Sequence, residues 1–364
     1  MHRRFLNLVM HDNIRSIGSL HRMDLRRLFY ETVELAEQAT AANAKKKNPL
    51  RALSLTDELR KPLFSFQPHN FFTQLRESSI VMVDSSGSTT IFDTDFNLVL
   101  TGDSMRHGKG PNCVCFSTPH HNTLNSYNST CLFVLDLVPG NSSNSTFDVP
   151  RYVGSDDSSK PLVSSHFTMN WFWSRRPVPP FVDDPAYSGS TKMCSSMVLG
   201  KSTICVSSME EGVGTYTFDP VSEKWSWAGS WVLPFCGNAE YVPEVKLWFA
   251  LSASSPHGLC ALDLPAMGSE LPPELQCTWD YLHLPEQSPP YRRHLLKMGS
   301  GRFCIISFFR TLRSNGVDEI IEDESAVFTG VEVRPCNGGE RPVRMINHMS
   351  KRYTFGKYRI NCVL

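Results

Sequence analysis

The sequence predicts an all-β fold, a β-propeller of six blades carrying loop insertions and a short helix near residues 31–60. Three observations predict it. A unit of short strands around a turn aspartate recurs about six times along the 364 residues. Tryptophan, proline and glycine, at 7, 24 and 22 residues, suit many short strands joined by turns. The shortest repeat interval is about 43 residues. Repeats of about 40–50 residues suit radially packed blades, because a lone sheet cannot bury both of its faces.

The clearest unit spans residues 201–229. A strand, "KSTICVSS", is followed by the turn "MEEGVG", a second strand "TYTFD" and a third "KWSWAG". Period-2 alternation places Tyr216 and Phe218 on one face of a half-buried strand. Asp219-Pro220 opens the turn, since Asp caps its own backbone and Pro presets φ. The grammar recurs in "SIVMVDSSGSTTIFDTDFNLVLTG" (79–102), "NCVCFST…TCLFVLDLVPG" (112–140) and "VKLWFALSASSPHGLCALDLP" (245–265). A weaker copy runs over 3–25, and a sixth over 301–335 carries Glu332 where the others carry aspartate. The turn aspartates are Asp24, Asp93, Asp136, Asp219 and Asp263.

Three stretches interrupt the pattern and are expected to be loop insertions in one domain spanning 1–364. Residues 31–61 favour helix or disorder, and 140–190 begins with a Ser/Asn/Asp-rich solvated run at 140–165. Residues 310–325 end in "DEIIEDES", an acidic hairpin tip.

Lys plus Arg equals Asp plus Glu, 36 of each, so no long-range field draws the chain to nucleic acid or anionic lipid. No run approaches the length of a membrane span. The eleven cysteines are an odd number without framework spacing. Most lie in apolar runs, as Cys205 and Cys304 do, and read as small buried hydrophobes in a reducing compartment. No secretory signal is apparent, so cytoplasm or nucleus is expected, and the sequons at Asn128, Asn141 and Asn144 are expected to stay unmodified.

Candidate chemistry dissolves on counting. Cys113, Cys115, His120 and His121 cluster, but structural zinc sites space their cysteines by two to four residues. "LTGDSMRHGKGPN" has five residues between Gly102 and Gly108, and Lys109 is followed by Gly110, so it is no phosphate loop. "LGKST" lacks the upstream glycine. No nucleophile elbow or zincin motif occurs. No catalytic residue, cofactor site or metal ligand is assigned, and no cofactor is expected.

Two aromatic stretches remain. "NWFWSRRPVPPFVDDP" (170–185) combines Trp171 and Trp173 with Arg175 and Arg176, the composition of an interaction hot spot, or else of a core with arginines reaching outward. "WSWAGSWVLPFCGNAEY" (225–241) holds Trp225, Trp227 and Trp231, expected as core between blades.

The stretch "YTFDPVSEKWSWAGSWVLPFCGNAEYVPEVKLWFALS" resembles the hallmark block of an uncharacterised plant family, expanded in grasses: the domain-of-unknown-function family numbered 1668. Its pattern is matched by Tyr216, Phe218, Asp219, Trp225, Gly229, Trp231, Leu233, Pro234, Phe235, Gly237, Ala239, Tyr241, Val242, Pro243, Glu244, Leu247, Trp248 and Phe249. Both ends of the chain are similar to that family as well. More loosely, the blade grammar resembles kelch-type propellers, although the kelch Gly-Gly pair is replaced by Gly212-Val213-Gly214.

The reading is a non-catalytic, monomeric propeller scaffold that binds a protein partner through loops on one face, with Trp171, Trp173, Arg175 and Arg176 as contact residues. The alternative is an enzyme or small-molecule binder using the central channel. A cell-wall sugar binder is a third reading, opposed by the missing signal and the odd cysteine count.

Overall fold

The computed structural model describes residues 3–12, 14–43, 61–67, 69–106, 109, 112–119, 130–139, 147–152, 171–184, 191–200, 202–210, 212–254, 257–264, 273–281, 289–314, 319–336, 343–356 and 358–364. The chain divides into two compact units. One comprises Met1–Gln67, Pro234–Leu264 and Pro273–Val363; the other comprises Pro68–Leu233, Pro265–Pro272 and Leu364.

The first unit opens with β1 (Phe5–Asp12), β2 (Ile17–Asp24), helix α1 (Val33–Asn43) and β3 (Phe64–Phe66). The second unit holds β4 (Phe71–Arg76), β5 (Ser79–Val83), β6 (Thr89–Asp93), β7 (Leu98–Thr101), β8 (Cys113–Pro119) and β9 (Thr130–Asp136). It continues with β10 (Phe147–Tyr152), β11 (Trp171–Arg175), β12 (Met193–Leu199), β13 (Thr203–Ser208), β14 (Thr215–Asp219) and β15 (Lys224–Gly229). The first unit then adds β16 (Phe235–Val242), β17 (Leu247–Ser252), β18 (Leu259–Asp263), β19 (Glu274–Trp279) and β20 (Arg292–Gly299). It ends with β21 (Arg302–Ser314), β22 (Glu319–Pro335), β23 (Val343–Thr354) and β24 (Tyr358–Val363).

The fold is therefore mostly β, built of small antiparallel meanders. In the second unit, β4 to β7, β8 to β11 and β12 to β15 each pair in chain order. In the first unit β16 to β19 and β20 to β23 do the same. The remaining array has the order β24-β1-β2-β3, with Leu8 opposite Val363 and Met10 opposite Ile360. The N- and C-terminal strands thus cover each other's edges, a closure the sequence pattern left open.

Packing between meanders explains why the alternation is incomplete. In the second unit, Phe133, Phe147, Phe181, Val206 and Phe218 form one apolar layer, and Phe71, Val81, Ile91, Val134 and Trp173 another. In the first unit, Phe249, Phe303, Ile305 and Val331 form a third layer, and Leu6, Leu8, Ile306, Phe308 and Phe328 a fourth. A strand lying between two layers is buried on both faces and reads as a continuous apolar run. β5 is such a strand, buried at all five residues. β14 departs from the half-buried expectation. Phe218 is buried, but so are Thr215 and Thr217, while Tyr216 is partly exposed. Thr215 can be buried because its Oγ1 donates to the Trp231 carbonyl at 2.7 Å.

Turn chemistry is shared across both units. Asp12 accepts from the amides of Ile14 and Arg15, Asp93 from Asp95 and Phe96, and Asp219 from Val221 and Ser222. Each of these turns ends on a left-handed residue, namely Ser16, Asn97 or Glu223. An aspartate side chain replaces the backbone partner that the turn amides would otherwise lack. Asp136 differs: it closes β9, a second strand, where Asp24, Asp93, Asp219 and Asp263 close third strands.

The expected insertions meet three outcomes. Helix α1 occupies Val33–Asn43 and residues 44–60 lie outside the described residues. α1 lies along β23, with Glu37 paired to Arg344 at 2.7 Å and Thr40 Oγ1 donating to the Asn347 carbonyl. The 140–190 stretch supplies β10 and β11 rather than loop alone. Pro150 is tolerated there because β10 pairs with β9 only through Phe147 and Asp148, so its missing N–H costs no bond to β9. Residues 310–325 fall in the β21–β22 hairpin. The sequons lie outside the described residues.

Candidate functional site

β11 and Arg176, the residue after it, carry the side chains singled out for partner contact. Trp173 is 8% exposed and packs among Phe71, Ile91 and Leu132, with its Nε1 donating to Thr89 Oγ1 at 3.0 Å. Arg176, also 8% exposed, donates to Ser174 Oγ at 2.8 Å and stands 3.5 Å from Glu223. Both side chains are spent on the unit's own interior. Arg175 is exposed at the end of β11, and Phe172, on the opposite face of the strand, is 39% exposed. Trp171 pairs with Tyr152 at the end of the strand. Of the three later tryptophans, Trp225 is partly buried against Phe218, with its Nε1 donating to the Pro177 carbonyl at 2.7 Å. Trp227 is 61% exposed and corrects the expectation of a wholly internal trio. It sits on β15, the terminal strand of its meander, beyond which no further strand pairs among the described residues.

The false phosphate loop acquires a structural role. Lys109 is fully buried, with Nζ 3.0 Å from Asp136 and 3.2 Å from Asp148. Two carboxylates occupy the ammonium that a phosphate would need, and they account for the unusual position of Asp136. Cys113 Sγ lies 3.5 Å from the same Asp136 oxygen, and burial drives its thiol far up. Burial likewise pushes Cys205 and Cys260 to about 12. His120 and His121 lie outside the described residues. Among those described, no three His, Cys, Asp or Glu side chains gather as a metal would need.

A dense polar cluster lies in the first unit around Glu332 on β22. Its Oε2 accepts from Arg302 Nε at 2.9 Å and from His348 Nε2 at 3.3 Å, while Oε1 accepts from Arg334. His348 Nδ1 accepts the Tyr30 amide at 3.2 Å, which leaves the proton on Nε2, facing Glu332. Burial would raise the Glu332 carboxyl, but donation from His348, Arg334 and Arg302 outweighs it and holds the group at about 2. Both oxygens are engaged by donors. Such a carboxylate cannot take a proton from a substrate near neutrality, and it locks β21, β22 and β23 together instead.

Sequence reasoning missed a second cluster, at the root of the β21–β22 hairpin. Tyr291 donates its hydroxyl to Glu324 Oε1, Arg310 Nε donates to the same oxygen at 3.1 Å, and the Arg310 guanidinium lies 3.8 Å over the Tyr291 ring. Burial and the Glu324 carboxylate raise the Tyr291 phenol to about 12. Nearby, Arg292 stacks over Phe308, and burial lowers His294 to about 4, so that it is neutral. The run "YRRH" at 291–294 was the available signal; nothing local says that its partners come from β21 and β22.

The turns, finally, present apolar side chains outward. Phe96 is 82% exposed and Val221 65%, each on an aspartate-locked turn between the third and fourth strands of its meander in the second unit.

Among solved structures, the β-propeller domain of Cps50 (Swd1) from Myceliophteria thermophila aligns at 6% identity over 93% of this chain and 85% of its own, with a TM-score of 0.39. The WD40 domain of SCAP from fission yeast aligns at 8% over 96% and 86%, with a TM-score of 0.31. An auxiliary nutrient binding protein from Bacteroides ovatus aligns at 10% over 76% of this chain and 59% of its own, with a TM-score of 0.33. Likenesses this weak carry no inference about function. No curated protein matches the sequence. A family model described as "Protein of unknown function (DUF1668)" matches residues 3–353.

Proposed function

The chain belongs to the DUF1668 family, and from that premise we propose that it is a non-catalytic propeller-type scaffold that binds a protein partner. One observation carries the reading. Phe96 and Val221 are held outward on two turns of the same construction, each stiffened by an aspartate that accepts two backbone amides. Apolar side chains on stiff turns lose little freedom on binding, which is how a scaffold presents contacts. Arg175, exposed at the end of β11, is a further candidate contact of the same reading. The kelch-like blade plan, the plant origin, a monomeric state and a place in the cytoplasm or nucleus belong to the same reading. The burial of Cys205, Cys260, Cys277 and Cys304 supports the reducing compartment.

The test is purification of the tagged full chain from its native tissue under gentle crosslinking, beside a Phe96→Asp/Val221→Asp variant. The reading expects a stoichiometric protein with the wild type and its loss with the variant, at an unchanged thermal melt. A wild-type chain that emerges alone, or with a small molecule, refutes it.

A further inference from the structure

The charges of this chain balance as a whole but not along it. Residues 3–27 hold six arginines against two aspartates. Four of those arginines gather at one end of the β1–β2 hairpin, in the first unit. The register sets Phe5 opposite Asp24 and Asn7 opposite Arg22, so these four residues share a face. The Arg4 and Arg22 guanidiniums lie 4.7 and 4.8 Å from the centre of the Phe5 ring. Stacking on an aromatic face steadies a guanidinium without cancelling its charge.

Asp24 caps the short helix Leu25–Leu28 that follows, accepting from the Arg26 amide. The same carboxylate accepts from the Arg26 side chain at 2.7 Å and from that of Arg4 at 3.3 Å. One negative charge thus answers two positive ones, while Arg22 donates to the neutral Asn7 side-chain oxygen at 3.2 Å. Arg27 is exposed on the same helix and makes no hydrogen bond or ion pair among the described residues. Arg4, Arg22, Arg26 and Arg27 against Asp24 leave this end of the hairpin strongly positive in a chain of zero formal charge. The patch is also narrow. Four residues of chain separate Arg27 from Glu31, a reach of at most about 14 Å, and Glu34 and Glu37 follow on α1, all three exposed. A membrane or a nucleic-acid duplex would press its own negative charge against these glutamates, and a short segment need not.

We propose that the arginine end of the β1–β2 hairpin holds a short, aspartate- or glutamate-rich segment of a partner protein. Carboxylates match the guanidinium fork with paired hydrogen bonds, and the local charge selects for them. The inference rests on the scaffold reading above and gives that partner a chemistry.

The probe is a fluorescein-labelled peptide of about eight residues alternating glutamate and serine, titrated with the full chain by anisotropy. A lysine–serine peptide, a single-stranded oligothymidylate of equal length and vesicles containing phosphatidylserine accompany it. Saturable binding of the glutamate peptide is expected, weakening at high salt. Arg27→Glu should weaken it by about fivefold or more with an unchanged melt. Lys192→Glu, the same charge change at an exposed residue of the second unit, should weaken it by less than about twofold. No saturable binding, equal losses in the two variants, equal binding of the lysine peptide, or tighter capture of the oligonucleotide or the vesicles each overturns the inference. If the peptide fails while Phe96→Asp/Val221→Asp still sheds the crosslinked partner, the arginine patch is excluded and the scaffold stands.

Discussion

Replacing Glu332 with glutamine removes one charge and keeps the shape, and its cost can be worked from the geometry. In the folded protein Oε1 faces Arg334 and Oε2 faces Arg302 and His348, all of them donors. An amide group must set its own N–H against one of these donors, whichever way it is turned. A carboxyl held at about 2 rather than its usual value near 4.3 corresponds to roughly 3 kcal/mol. Arg302 and Arg334 are 40% and 47% exposed, so solvent screens their share and about 2 kcal/mol remains. The donor left without an acceptor adds about 1 kcal/mol. Glu332→Gln is thus expected to cost roughly 2–4 kcal/mol at pH 7, measured by urea unfolding followed through tryptophan fluorescence. The pH dependence has a definite sign. The folded carboxyl lies below its unfolded value, so its contribution is whole above about pH 4.3 and disappears as pH falls toward 2. Asp24, held at about 2 chiefly by Arg26, contributes in the same window to both proteins and cancels in the difference. Wild type and variant should therefore draw together as pH falls from about 4.3 toward 2. Equal urea midpoints at pH 7, or a gap that stays constant on acidification, would refute the clamp.

Three further outcomes are expected. Gly330→Ala should destabilise by roughly 1–3 kcal/mol in thermal unfolding, because the new Cβ would stand 2.6 Å from the Leu28 carbonyl oxygen. Lys246→Gly should raise the unfolding free energy by about 0.5 kcal/mol, read as a higher urea midpoint, since an exposed lysine is held there at φ 54°, in the left-handed region. Deleting residues 1–10 should lower the melting temperature sharply, because it removes most of β1 from between β24 and β2; an unchanged melt contradicts the closure.

Much of this protein was legible locally. Asp219-Pro220, the alternation at Tyr216 and Phe218, and the repeated aspartates foretold hairpins, because a turn and a pleat are decided by residues a few positions apart. The G-x-W spacing at Gly229 and Trp231 is of the same kind: a Cβ at 229 would sit 2.2 Å from the Trp231 indole nitrogen. The strands β4, β12, β16 and β20 were not proposed. Segments such as "RRHLLKMG" lack a clean period because their surroundings come from other strands. Trp173 and Trp227 show the same limit, two similar residues of which one is buried and the other exposed. Asp136, Lys109 and Glu332 show it for charge, since Glu332 and His348 are sixteen residues apart and meet only through the β22–β23 register. The sequence by itself determined the class of the elements and the places where the chain turns, which depend on short-range sterics and hydrogen bonding. The tertiary structure alone decided which side chains became core, which became counter-ions and which stayed in water, because burial and pairing depend on segments that arrive from elsewhere in the chain.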